Sequence, residues 1–236
     1  MVQLSFPGSS SMKSRLVQFS FVVVGQSHNP TILNPDFLLN QDIVPASWQW
    51  KVAETVTTPP LSLVRYENGV SITVEQDKIQ LVDPNVESGP GESKVPEIAA
   101  AYVQKLPHVS YTAVGTNFQS LITKDEPGAY LIDRFLKPGP WNADATHKLN
   151  NVGIRFVYPF DTSGRFTLTI DAGAAKLPDR ADLQQVLVAN ANFSRNCAPA
   201  SMVKQAKEHL QKSQDDWVTY RDKLQSIFEL DSPDVS

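Results

Sequence analysis

The groups in this sequence that could hold a metal, attack an electrophile or move a proton are four histidines, one cysteine and a scatter of carboxylates. His28, His108, His147 and His209 show no H-x-x-x-H or H-E-x-x-H spacing and none neighbours the cysteine, so no metal site and no cofactor is expected. His28 stands in a polar turn, Ser27-His28-Asn29-Pro30, behind an apolar run, where it either meets a ligand or closes the turn. Cys197 lies just before the last expected helix, an address that suits an activated nucleophile. With no orienting histidine beside it and no G-x-S-x-G or cysteine-protease signature, it reads better as a structural thiol. Asp171 ends the run Phe166-Thr167-Leu168-Thr169-Ile170, where a catalytic acid or a turn-forming aspartate before Gly173 both fit. Tyr220, on the last helix, completes a set of four candidate ligand-binding residues with His28, Asp171 and Cys197. No Walker loop or G-x-G-x-x-G occurs, so nucleotide binding has no support.

Other polar residues pose structural questions. Asn117, Asn190 and Asn192 interrupt apolar strand-like runs, and any that are buried need hydrogen-bond partners. Asp215-Asp216 is assigned to the solvent side of its helix, and Trp48, Trp50, Trp141 and Trp217 are expected to cover sheet edges.

The elements that must position these groups are legible from periodicity. Residues 15–26 form a strand whose apolar end, Phe21-Val22-Val23-Val24, suits burial on both faces. A short helix follows near Phe37, limited by Pro35. From Leu61 to Val82 the residues alternate, with Asn68-Gly69 as a tight turn, giving a three-stranded meander with Val70, Ile72 and Val74 on one face. A helix over 95–106 starts at an N-terminal proline, Pro96. The second half offers a strand over 109–122, a helix from Pro127 to about Leu136, a hairpin from Val152 to Ala172 turning at Asp161-Thr162-Ser163-Gly164, a strand over 186–193, and one long helix from Pro199 to Leu230. On that helix Val203, Leu210, Trp217 and Leu224 recur every seven residues. The stripe is read chiefly as a core-facing surface and alternatively as an intermolecular seam.

The two halves echo one another. Phe21-Val22-Val23-Val24-Gly25, Pro30, Phe37-Leu38 and Trp48 are matched by Tyr111-Thr112-Ala113-Val114-Gly115, Pro127, Tyr130-Leu131 and Trp141. The expected fold class is therefore α+β, with duplicated β-α-β-β-β-α units (15–108 and 109–236, behind a flexible leader over 1–14) forming one curved antiparallel sheet packed by helices. This layout resembles the two-repeat saddle of TATA-binding-protein-like and helix-grip folds. The resemblance implies a sheet with one face turned to a partner or ligand and long helices on the other.

Composition narrows the function. A chain of 236 residues, 41% hydrophobic, has enough apolar residues for a core. The formal charge of −4 and the dispersed lysines and arginines argue against a phosphate-tracking surface, and the absence of evident phenylalanine wedge pairs argues against minor-groove binding. A single cysteine excludes an intramolecular disulfide and suits the cytoplasm, and no run is long and apolar enough to span a membrane. The favoured expectation is a non-enzymatic interaction or scaffold protein that binds another protein or its own copy. The alternative is a small-ligand binder or enzyme using a cavity between the sheet and the closing helix.

Overall fold

Alternation of apolar and polar residues along most strands produces one sheet with one covered side. The computed structural model describes residues 12–87, 89–142, 146–160, 164–177, 180–228 and 230. In chain order the elements are β1 (Ser14–Gln26), α1 (Pro35–Asn40), β2 (Val52–Thr57), β3 (Leu61–Tyr66), β4 (Ser71–Glu75), β5 (Lys78–Asp83), α2 (Val95–Lys105), β6 (Ser110–Thr123), α3 (Pro127–Phe135), β7 (Ile154–Phe160), β8 (Gly164–Lys176), β9 (Leu183–Asn196), α4 (Met202–Leu210) and α5 (Ser213–Phe228). All nine strands join one antiparallel sheet in the order β2-β3-β4-β5-β1-β6-β9-β8-β7. The long strands β1 and β6 pair at its centre, flanked by the last strand of each half, β5 and β9. Of the sequence expectations, the leader stretch Gly8-Ser9-Ser10-Ser11 and the turn residues Asp161, Thr162 and Ser163 lie outside the described residues.

The covered side carries the core. Phe19, Phe21 and Val23 of β1, Phe118 and Ile122 of β6, Phe166, Leu168 and Ile170 of β8, and Phe193 of β9 are all buried in one cluster. Helix α2 packs on β1 and β5, α3 on β8 and β9, and α4 and α5 on β6. The hairpin turn Asn68-Gly69 joins β3 to β4, with the Asn68 side chain accepting a 3.1 Å hydrogen bond from the Val70 N–H.

Two features depart from the sequence reading. Strand β2 is an added edge strand: all six of its residues are exposed, so it has no buried periodicity to announce it and is held by backbone pairing to β3. The expected single closing helix is two, broken at Gln211-Lys212: α4 meets β6 and α2, while α5 meets β6, the turn at Pro90–Glu92 and, through Asp216 and Tyr220, β9. The heptad residues Val203, Leu210, Trp217 and Leu224 are consumed inside the molecule: Leu210 and Leu224 are buried and Val203 and Trp217 pack against the core. The sheet lies against that face of the helices, the core-facing arrangement of the stripe. The Trp217 ring centroid sits 5.5 Å from that of Phe118, and the backbone at Gly89, whose φ is +111°, approaches it so closely that a Cβ there would stand 2.7 Å from its Nε1.

Candidate functional site

The four residues singled out as ligand-binding candidates do not converge. Tyr220 is fully buried under the sheet, donating to the Ala189 carbonyl at 3.1 Å and stacking on Phe118. Burial pushes its phenol far above the ordinary range. Asp171 is exposed and lies against Gly153 towards the C-terminal half of β8. Cys197 follows β9 at the opposite end, its N–H bonded to the Thr112 carbonyl at 2.8 Å. Burial raises its thiol to about 11, so at neutral pH it is protonated and a poor nucleophile. The nearby ring of His209 has its Nε2 at 3.1 Å from the Asn196 carbonyl, an acceptor, and so is engaged with the backbone.

His28 is a buried neutral imidazole. It is 5% exposed, with Nδ1 3.3 Å from the Tyr102 hydroxyl and its ring edge-on to Tyr111. Burial, opposed by the Asp77 carboxylate and reinforced by His108, lowers its pKa to about 4. Between the unfolded value of about 6.5 and this value, the unfolded chain takes up a proton that the folded one refuses. Stability is therefore full above pH 6.5, declines as pH falls and levels off near pH 4. Allowing for solvent in the adjoining surface pocket, the loss is on the order of 2 kcal/mol. Urea midpoints at pH 7 and pH 4.5 should show that loss in the native chain and a smaller one in His28→Phe; equal losses would contradict this reading of His28.

The helix side of the sheet offers no ligand space at these residues, because Phe118, Tyr220, Trp217 and Phe193 fill it with contacting rings. It does contain a charged pair that the sequence reading misplaced. Asp216, assigned to the solvent side, is fully buried and grips Arg195 in two parallel hydrogen bonds, Nη1 to Oδ2 at 2.8 Å and Nη2 to Oδ1 at 2.5 Å. The register explains the geometry. Arg195 on β9 stands opposite Gly164 on β8, where a Cβ would lie only 3.2 Å from the Arg195 Cγ, so the missing side chain makes room for the arginine stem. The guanidinium then lies 4.7 Å from the Phe160 ring centroid. Burial pushes the Asp216 carboxyl up, while hydrogen bonds and the charge of Arg195 pull it down. This is a clamp tying α5 to β9.

The opposite side of the sheet is different in kind. Strand pairing aligns its side chains in rows that run across the strands. One row is Val157-Thr167-Asn192-Asn117-Ser20, from β7 through β8, β9 and β6 to β1; the next is Arg155-Thr169-Asn190-Gln119-Gln18. Asn192 donates to Asn117 Oδ1 at 2.6 Å, and Gln119 donates to Asn190 Oδ1 at 2.8 Å. Asn117 also donates to the Ser20 carbonyl at 3.5 Å. The partners of these half-buried asparagines are thus one another, a glutamine on the neighbouring strand and the Ser20 carbonyl. Between the rows lies a shallow cavity of about 200 Å³ lined by these amides and by Thr167 and Thr169. Each amide has two N–H donors and an oxygen with two lone pairs, so these bonds leave donor and acceptor capacity unused across the set. Sequence reading flagged the three asparagines but missed Gln18, Gln119, Thr167, Thr169 and Arg155, since only strand register shows that they form rows.

Among the described residues no group of three or more histidine, cysteine, aspartate or glutamate side chains could hold a metal, and no helix is long and apolar enough to cross a membrane. No protein-family model matches the chain, and no curated protein is significantly similar to it.

Proposed function

We propose that this chain is a non-enzymatic interaction protein whose uncovered sheet face receives another protein. The observation that carries the reading is the pair of amide and hydroxyl rows crossing four strands, β8, β9, β6 and β1, on the side of the sheet away from the core. A purely structural face would be satisfied by threonine and charged residues; partly buried asparagine and glutamine are costlier and leave hydrogen-bonding capacity pointing outward. The candidate chemical residues His28, Asp171, Cys197 and Tyr220 are held apart in separate structural roles, which supports binding over catalysis. Internal duplication belongs to the same proposal. The central pair β1 and β6 and the return of each half's last strand to its own first strand suit a saddle of the TATA-binding-protein-like or helix-grip kind, with helices on one side and a receptive sheet on the other.

The test is light scattering on the chain purified from its native host, with and without Thr167→Arg, which plants a long cation on the open face. The expected result is a mass above that of a single chain in the native protein, reverting to a single chain in Thr167→Arg with an unchanged unfolding midpoint. A mass that ignores the substitution, or a single chain in both samples, would overturn the proposal.

A further inference from the structure

We infer that the occupant of this face is an extended, acidic polypeptide segment lying along the rows, with its carboxylates on Arg155 and Arg165. The inference rests on the binding-face reading and adds the chemistry of the partner. Length comes first. From β7 to β1 the row crosses four inter-strand gaps, roughly 19 Å at strand spacing, which an extended chain covers with about six residues. Polarity comes second. A peptide backbone offers N–H and C=O in alternation, and the residual donors and acceptors of Asn190, Asn192, Asn117 and Gln119 match both, whereas phosphates offer acceptors alone. The aromatic residues of β6 to β9 lie in the core (Tyr111, Phe118, Phe166 and Phe193) or pack against it (Phe156, Tyr158 and Phe160), and none stands in the rows, so the rows provide no platform for bases.

Charge supplies the third argument. On the first half of the sheet the cations are neutralised, Arg65 by Glu54 and Lys78 by Glu75. Arg155 and Arg165 are exposed and have no ion-pair partner among the described residues; Asp171 stands two residues beyond Thr169, the cross-strand partner of Arg155, and well away from Arg165 along β8. Arg155 ends one row on β7 and Arg165 lies beside the other row on β8, two residues before Thr167, so the positive charge gathers at the β7–β8 end in a chain whose overall charge is negative. Acidic side chains, or a C-terminal carboxylate, meet that end with complementary charge.

The experiment presents the full chain with a phage-displayed library of random dodecapeptides and measures the affinities of the enriched sequences by fluorescence anisotropy. The expected result is enrichment in aspartate and glutamate, with affinity falling about tenfold in Arg155→Glu, severalfold in Asn192→Ala, and progressively with added salt. Both substitutions are on the open side, and unchanged unfolding midpoints show that the fold survives. Enriched peptides without acidic excess, affinities indifferent to both substitutions, or no enrichment would overturn the inference. A labelled twelve-residue oligothymidylate that binds the native chain and is displaced from Thr167→Arg would also overturn it, while leaving a functional open face standing. Failure of the face itself is read separately, from the mass of Thr167→Arg purified from the native host.

Discussion

Asp216→Ala should destabilise the protein by about 3–5 kcal/mol, a large share of the roughly 5–15 kcal/mol that holds a domain together. The substitution leaves the Arg195 guanidinium, 1% exposed, without the carboxylate that grips it at two points. Water cannot replace that partner where Phe160 covers one face of the guanidinium and the sheet lies beneath it. The cost comes from leaving a buried guanidinium without that carboxylate more than from the lost attraction, so removing both charges should be milder. Arg195→Met combined with Asp216→Leu should recover most of the loss, giving a strongly non-additive cycle. Urea unfolding of the single and double variants measures this directly. A single-variant loss below about 1 kcal/mol would show that solvent reaches the pair.

The second large effect concerns the closing helices. A chain ending after Cys197 should show no cooperative unfolding transition. It loses Leu210, Tyr220, Leu224 and Phe228, each buried at 2% exposure or less. At roughly 1.5–3 kcal/mol for each large side chain, their removal costs about 6–12 kcal/mol, comparable with the whole stability of a domain. It also bares Phe118 and Phe193 on the sheet and strands Arg195 without Asp216. Thermal circular dichroism distinguishes the outcomes. A sharp transition near that of the full chain would mean that α4 and α5 are an appended surface rather than part of the core.

What was legible in the sequence follows from which interactions leave a local trace. Val70, Ile72 and Val74 alternate, so β4 and its covered side were readable, and the stripe through Leu210, Trp217 and Leu224 marked a core-facing helix surface. Strand β2 left no trace because pairing through the backbone puts no demand on its side chains. Composition alone places Asp216 towards solvent, although it falls three residues after Ser213 and four before Tyr220, both buried, on the same helical face. The rows on the open face depend on strand register: Asn117 and Asn192 are 75 positions apart, and only the pairing of β6 with β9 makes them neighbours. Three asparagines in apolar strands were a readable warning; their partner Gln119 was not, since a glutamine in a strand is commonplace until its cross-strand neighbours are known.

The placement of a partner on the open face is tested most directly by site-specific photo-crosslinking in the native host. A benzophenone amino acid is placed either at Thr167, between the amide rows, or at Gln225, exposed on α5. The account predicts a protease-sensitive adduct from position 167 and none from position 225. An adduct from position 225 alone, or equal adducts from both, would contradict it.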